Sequence, residues 1–295
     1  MGVSKKSYEM KPLEKMNVID DFLFNEIMAD EENGLEVCRM ILSCVLKRRI
    51  GKIHYTPQKN VPGISEDKHG IRLDAYVTEI NESPEDGEED INVYDIEPDK
   101  RVQRKAVLPR RSRYYGSLID SQLLETGIDY ESLPNLVTIF ILSYDPFGED
   151  AMYYEAGTVL KTHLNIPYDD GVRRIYLYAG GKLPEGAGET DRDLKRLLIY
   201  INESIEGNAT DDNTRKLDEI VRRTKAKKDI GVKYMKSWER ERELIEAVRE
   251  EERQNTERER QNTERERQRA ERERQRAEKA EKRIQELEAM LAAKS

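Results

Sequence analysis

The spacing of apolar positions predicts helices at the start of the chain and strands after them. A short helix is expected near 20–30, ending at Gly34, and a second over 35–49, where apolar residues recur with the helical period. Strand-like alternation follows at 71–80 and 91–97. The acidic segment between these two runs predicts a solvated hairpin loop.

A second group of elements follows the hairpin. Pro109 and Gly127 bracket an amphipathic helix, and the apolar, β-branched run at 136–142 predicts a buried central strand. The remaining predicted elements are a weaker strand at 172–181 and two amphipathic helices at 190–204 and 214–228. This order predicts an α/β fold in which helices flank a small mixed sheet.

The last part of the chain repeats with a period of seven residues. The string "ERQNTER" occurs at 252–258 and again at 259–265, and related heptads follow. A coiled coil needs apolar residues at both seam positions, and only the last turns, with Ile284, Leu287 and Leu291, provide them. Two interpretations stay open. The segment is either a solvated helix held by Glu–Arg pairs along its own length, or a weak coiled coil through which two chains form a homo-oligomer.

The uneven distribution of charge indicates three parts. Charged residues make up 38% of the chain and hydrophobic residues 37%, which is very polar for one compact core. Residues 239–295 alone hold 17 acidic and 16 basic residues, and Trp238 is the last aromatic residue. We therefore predict an N-terminal extension at 1–17, a globular domain at 18–230 and a charged heptad-repeat helix at 231–295.

Cysteine, histidine and N-terminal patterns narrow the class of protein. Cys38 and Cys44 lie in one predicted helix, which indicates buried, reduced thiols rather than a disulfide framework. Three scattered histidines give no zinc-binding spacing. The N-terminus has no signal-peptide pattern, and no apolar stretch is long enough to span a bilayer. We expect a soluble cytoplasmic protein that does not contact membranes.

Basic residues of the otherwise acidic globular domain are concentrated at 222–228 and, in larger number, in one segment at 100–113. Nucleic acid is bound by local patches of positive charge rather than by net charge, so this segment is a candidate DNA-binding surface. The candidate DNA-binding residues are Lys100, Arg101, Arg104, Lys105, Arg111 and Arg113.

Two carboxylates stand inside the predicted hairpin, in the segments "GIRLDAYV" and "INVYDIEPDK". Pairing Ile80 with Ile91 closes the loop most simply and sets Asp74 opposite Glu97 on one face of the sheet. Like charges at that distance are unfavourable unless a cation lies between them, and a hard divalent ion held by carboxylate oxygens would supply it. The alternative is that both acids occupy the solvated face of a half-exposed hairpin.

Several ordered motifs resemble the PD-(D/E)XK nuclease family of transposases, also called recombination-promoting nucleases. They are "RLDAY", "YDIE", "RSRYY", "G-x-DY-x-x-L" at 127–133 and "IFI…D-x-FG" at 139–148, within a region from Val18 to Ser204. The resemblance implies a restriction-endonuclease-like fold and Mg²⁺-dependent hydrolysis of DNA phosphodiester bonds. It matches Asp74 and Glu97 to the acidic metal ligands of the family.

The residues after Glu97 depart from the family pattern. The superfamily has one arbitrary residue and then Lys, and this family commonly has Gln, whereas this chain has Pro98 and Asp99. On a strand Asp99 shares the face of Glu97 and lies opposite Arg72 in the same register, so it is expected either in an ion pair or as a third metal ligand. Asp99 is therefore the third catalytic candidate.

The leading hypothesis is a Mg²⁺-dependent endonuclease that acts on DNA. Because the group that normally orients the attacking water is missing, a rival hypothesis is a catalytically weakened nuclease-like protein. Such a protein would bind DNA or a protein partner through the basic helix and the C-terminal helix. The two hypotheses differ in whether Asp74 and Glu97 support turnover.

Overall fold

The computed structural model describes residues 10–63, 65, 68–82, 89–102, 104–124, 127 and 129–292, with the backbone alone for 81–82, 89–90 and 281–292. The helices are α1 (Asp21–Met28), α2 (Glu31–Leu46), α3 (Val107–Leu123), α4 (Glu189–Asn202), α5 (Asp212–Lys225) and α6 (Ile230–Ala292). The strands are β1 (Lys52–Val61), β2 (Ile71–Glu82), β3 (Glu89–Asp99), β4 (Asn135–Leu142), β5 (Tyr153–Ala156) and β6 (Val172–Tyr178). The predicted class, a mixed sheet flanked by helices with a long C-terminal helix, is confirmed.

In the described part of the chain, six strands form one mixed sheet in the order β1-β2-β3-β4-β6-β5. Strands β1, β2 and β3 are antiparallel neighbours, β3, β4 and β6 run parallel, and β5 is antiparallel to β6. The predicted hairpin register is confirmed, because Ile80 pairs with Ile91. Strands β1 and β5 form the two edges of the sheet.

Helices cover both faces of the central strands. On one face, Leu118 and Ile119 of α3 pack with Val93 and Leu136 in a buried apolar cluster. Helices α1, α2, α4 and α5 contact one another, and α1 and α2 also contact strands of the sheet. Strand β4 is buried from its second residue to its last, as the apolar run at 136–142 predicted.

The boundary between α1 and α2 differs from the predicted one. Asp30 caps the start of α2 with its side chain, and Gly34 lies inside α2 instead of ending α1. A Cβ atom on Gly34 would come within 2.4 Å of the Tyr55 hydroxyl oxygen. That hydroxyl donates a hydrogen bond to the carbonyl oxygen of Met28 at 2.7 Å. Gly34 therefore allows the close approach of α2 and β1.

The sequence pattern did not predict β1 and β5. Strand β1 contains Pro57, which has no N–H to donate, and Gln58 adopts a positive φ of 50°. Strand β5 has only four residues, and they are half-buried or exposed. Edge strands bury fewer side chains than central strands, so their alternation of apolar and polar positions is weak.

Residues Met10–Tyr234 form one compact unit, and Met235–Ser295 belong to another. In α6 a Gln side chain donates to the Glu four residues before it at intervals of seven residues. The pairs are Gln254–Glu250, Gln261–Glu257, Gln268–Glu264 and Gln275–Glu271. Glu–Arg pairs of the predicted kind also occur, for example Arg274–Glu278 at 3.2 Å.

Two predictions concern the whole length of α6. The side chains of Ile284, Leu287 and Leu291, on which the predicted coiled coil depends, lie outside the described residues. The second prediction is that no segment spans a membrane. Helix α6 is 63 residues long, but its sequence is highly charged. Within the described ranges, none of the helices has the length and apolar character needed to cross a membrane.

Candidate active site

Asp74 and Glu97 meet where the β2–β3 ladder ends. Backbone pairing runs as far as Ala75 and Ile96. The next N–H along β2, that of Asp74, donates to Glu97 Oε1 at 2.9 Å. A hydrogen bond from backbone to side chain thus replaces the next backbone pair of the ladder. Asp74 and Glu97, the two predicted metal ligands, therefore lie together on the face of the sheet that α3 covers.

Asp95 is a third acid on this face of β3, two residues before Glu97. It is completely buried, and no described residue donates a hydrogen bond to either of its carboxylate oxygens. Burial and the negative charge of Asp74 raise the pKa of Asp95 to about 8. Sequence reasoning missed Asp95, although the period-two rule that linked Asp99 to Glu97 applies equally to Asp95.

The three acids, Asp74, Asp95 and Glu97, form what we call the acidic cluster, and they oppose one another's ionisation. Burial and the nearby charge of Asp21 raise the pKa of Asp74 to about 6. Burial, followed by the charges of Asp95 and Asp74, raises the pKa of Glu97 well above its ordinary value. Both causes disfavour the charged form of a carboxyl group, so a cation among these acids would be stabilising.

Arg111 brings a positive charge to the acidic cluster from α3. Its Nη2 donates to Glu97 Oε2 at 2.7 Å, and its Nη1 donates to Asp99 Oδ2 at 2.6 Å. The side chain is only 18% exposed. The guanidinium carbon lies 5.0 Å from the ring centre of Tyr115 and 5.3 Å from that of Phe140. Arg111, one of the predicted DNA-binding residues, therefore points into the protein and not towards solvent.

Asp99 is held in an ion pair, one of the two alternatives that the sequence left open. Its Oδ2 accepts from Arg111, and its Oδ1 accepts from the backbone N–H of Arg101 at 2.8 Å. The expectation that Asp99 faces Arg72 is wrong. Because the β2–β3 ladder ends before these positions, the Arg72 side chain turns towards β1 and donates to Gln58.

Two predicted DNA-binding lysines make contacts within the protein. Lys100 lies on the opposite side of the strand end from Glu97, and its Nζ donates to the buried carboxylate of Asp20. Lys105 Nζ donates to the carbonyl oxygen of Phe147 at 2.6 Å. Both ammonium groups support the loops around the C-terminal ends of β3 and β4.

Three predicted DNA-binding arginines are exposed. The side chain of Arg101 is 72% exposed, with its Nε 3.6 Å from Asp99 Oδ1. Arg104 lies in the segment before α3, and Arg113 lies on the solvent-facing side of that helix. Helix α3 thus presents Arg113 to solvent and Arg111 to the acidic cluster.

The oxygen donors of the cluster suit a hard divalent cation. Mg²⁺ keeps several waters and is often bound through only one or two carboxylates together with substrate phosphates. Asp74 and Glu97 supply two such groups, and Asp95 adds buried oxygens that lack a donor in the described part of the chain. The described residues contain no group of three or more His, Cys, Asp or Glu side chains arranged to hold a metal ion. An ion at this position would be held by the carboxylates of Asp74 and Glu97, with water or phosphate as its remaining ligands.

Comparisons with known proteins do not assign a function to this site. No family model matches the chain, no curated protein matches it, and no solved structure matches its fold. The quoted motifs and the arrangement of Asp74, Glu97 and Arg111 are therefore the grounds for assigning a function.

Proposed function

We propose that this protein is a Mg²⁺-dependent DNA endonuclease of the transposase or recombination-promoting type, with a restriction-endonuclease-like core. The observation that carries the proposal is the meeting of Asp74 and Glu97 at the end of the β2–β3 ladder. Burying carboxylates beside one another is unfavourable, and perturbed acids of this kind concentrate at functional sites. The resemblance of the motifs quoted above to those of the nuclease family supports the same two residues as metal ligands.

In the proposed reaction Asp74 and Glu97 hold the ion beside a DNA phosphate. Bound Mg²⁺ would lower the pKa of a water molecule and offset the charge of the phosphate. The reaction adds water across one P–O ester bond, leaving a phosphate monoester and a free hydroxyl. The buried position of Glu97 keeps its carboxylate fixed, and its bond from the Asp74 N–H sets its direction.

The exposed arginines give the proposed enzyme a surface for DNA. Arg101, Arg104 and Arg113 are the predicted basic residues whose side chains remain exposed. Contacts to backbone phosphates bind DNA without reading its sequence, and they weaken as salt concentration rises. Such contacts would hold the duplex against α3, whose inner side borders the acidic cluster.

Incubation of supercoiled plasmid with the purified protein tests the function. With Mg²⁺ we expect relaxed or linear product, and with excess EDTA we expect none. Asp74→Asn should abolish cleavage, while Glu219→Gln, an exposed carboxylate on α5, should cleave like the wild type. Cleavage that persists in EDTA or in Asp74→Asn would point to a contaminating nuclease and refute the proposal.

A second candidate is a nuclease-like protein that binds DNA without turnover. The observation that favours it is that both oxygens of Glu97 already have partners, the Asp74 N–H and the Arg111 guanidinium. In that case wild type and Asp74→Asn would both leave the plasmid intact, yet both would shift a DNA duplex in a gel. The affinity would fall with increasing salt.

A further inference from the structure

The acidic cluster receives its positive charge from α3, the helix that follows β3 in the chain. Lys100, the first cation after Glu97 in sequence, bonds Asp20 on the other side of the strand end. In the described part of the chain, the basic side chain that bonds Glu97 is Arg111, fourteen residues after Glu97, on α3. Strands β2 and β3 therefore provide the acids, and α3 provides the cation.

Asp99 is placed to hold that cation. Glu97 and Asp99 lie on one face of β3, two residues apart, and the guanidinium donates one N–H group to each. Both oxygens of Asp99 accept hydrogen bonds that fix local geometry, from Arg111 and from the Arg101 backbone. The Asp99 side chain is almost fully buried, so water competes little for these bonds.

Two aromatic side chains pack against the guanidinium of Arg111. The rings of Tyr115 and Phe140 lie close to Arg111, and they also lie close to each other, with ring centres 6.4 Å apart. An arginine near aromatic faces with bonds to two carboxylates has little freedom to move. Arg111 is thus fixed in the structure before any ligand arrives.

We infer that Arg111 is the resident cation of the acidic cluster and that Asp99 is the positioning residue that holds it against Glu97. Its part in catalysis rests on the proposed function: the guanidinium stabilises negative charge that develops on the phosphate as water attacks. Asp99, at the position where the family has a Lys or Gln, keeps the positive charge in place instead of carrying a functional group to the water.

A titration with Mn²⁺ alone tests the electrostatic part of this inference. Arg111→Gln removes a positive charge beside Glu97, so we expect it to bind Mn²⁺ roughly tenfold more tightly than wild type by calorimetry. Asp99→Asn should bind several-fold more weakly, because one negative charge is lost. Arg110→Gln, an exposed arginine on the same helix, is the matched control and should change affinity less than twofold.

The results of this titration distinguish the proposed roles of Arg111 and Asp99 from the alternatives. Unchanged affinity in Arg111→Gln, or the absence of Mn²⁺ binding in both it and wild type, would overturn the inference. Complete loss of binding in Asp99→Asn would also overturn it, since Asp99 would then be a metal ligand. Thermal unfolding verifies that each variant is folded, and Arg111→Met, which also removes the charge, replaces Arg111→Gln if that variant does not fold.

Single-turnover plasmid cleavage tests the catalytic part. Arg111→Gln should lower the rate roughly a hundredfold, as removal of a charge-stabilising donor does in other enzymes, and Arg111→Lys should restore part of it. The double variant Arg111→Gln/Asp99→Asn should be no slower than Arg111→Gln, because Asp99 acts through Arg111. Equal rates for wild type and Arg111→Gln would overturn the inference. If wild type does not cleave, the nuclease proposal fails, and the Mn²⁺ titration still decides the role of Arg111.

Discussion

The backbone N–H of Asp74 donates to the Glu97 carboxylate at 2.9 Å, so this bond does not depend on the Asp74 side chain. Asp74→Asn should therefore keep the geometry of Glu97 while removing one of the clustered charges. We expect its free energy of unfolding without metal to stay level or rise, because the repulsion with Asp95 and Glu97 is relieved. Urea unfolding in EDTA measures this, and a clear loss of stability would contradict the shared-site hypothesis.

Glu97→Gln should behave differently from Asp74→Asn in stability although both should abolish Mg²⁺-dependent cleavage. The substitution removes the carboxylate that bonds Arg111 and leaves a half-buried guanidinium with one anionic partner fewer. We expect a loss of about 1–3 kcal/mol in urea unfolding without metal. An increase in stability instead would show that Arg111 stabilises Glu97 less than their hydrogen bond of 2.7 Å indicates.

Replacing Gly34 in α2 and Gly116 in α3 by alanine gives two matched substitutions that test the close packing of α2. Alanine stabilises a helix by up to about 1 kcal/mol relative to glycine, so Gly116→Ala in α3, whose Cβ would lie 3.6 Å from Leu136, should raise stability. Gly34→Ala should lower it by about 1–3 kcal/mol, because the new methyl group displaces the Tyr55 hydroxyl from Met28. Equal effects in thermal unfolding would mean that Tyr55 moves aside at no cost.

Glu79 should make stability depend on acid pH. Burial raises the pKa of this carboxyl, but hydrogen bonds from Arg48, Tyr94 and the Gly51 N–H more than offset it and lower the pKa to about 2. A carboxyl group whose pKa is lowered in the folded state stabilises the fold at pH values above its unfolded pKa, which is near 4.3 for Glu. This stabilisation is lost as the pH falls towards 2.

Glu79 contributes roughly 2 kcal/mol to the free energy of unfolding at neutral pH. This figure follows from the size of its pKa shift, reduced because solvent screens the charge of the exposed Arg48 side chain. Urea unfolding at pH 6, 4 and 3 should show the loss in wild type and a flatter profile in Glu79→Gln. Glu219→Gln, an exposed acid on α5, is the control and should follow the wild-type profile. Parallel profiles for Glu79→Gln and wild type would contradict this assignment.

The exposed arginines should account for DNA binding. Arg104→Ala/Arg113→Ala removes two side chains that face solvent beside and on α3, so affinity should fall for every DNA sequence. The slope of log affinity against log salt should decrease by about 2, one for each lost phosphate contact. The double variant Arg215→Ala/Lys216→Ala, which removes the same charge from exposed positions on α5, should leave affinity and slope unchanged.

A chain ending at Trp238 should fold without the rest of α6. The compact unit ends at Tyr234, and the side chains of α6 from 249 to 280 are exposed, so their removal takes away little buried surface. We expect a cooperative unfolding transition like that of the full chain. If the C-terminal turns form a seam between two chains, light scattering should show a smaller particle after truncation than the shortened chain alone explains.

The hairpin and the Asp74–Glu97 pair could be predicted because pairing Ile80 with Ile91 closes the acidic loop most simply, and period-two alternation then sets both acids on one face. Arg111 was harder to place, since its charge favours solvent. The helical period did contain the signal: Arg111 precedes Tyr115 by four residues, on the side of α3 that packs against the sheet. Asp95 was missed because a carboxylate without a donor is rarely expected in a core.

The edges of the sheet carry a consequence for self-association. An exposed edge strand offers free N–H and C=O groups to a neighbouring molecule and can seed aggregation. In β1 the Pro57 ring removes one donor, and the positive φ of Gln58 interrupts the regular extended backbone next to it. At the other edge, β5 offers a template of only four residues. Both edges are thus poor templates for intermolecular strand pairing, which keeps the sheet that bears the acidic cluster confined to one molecule.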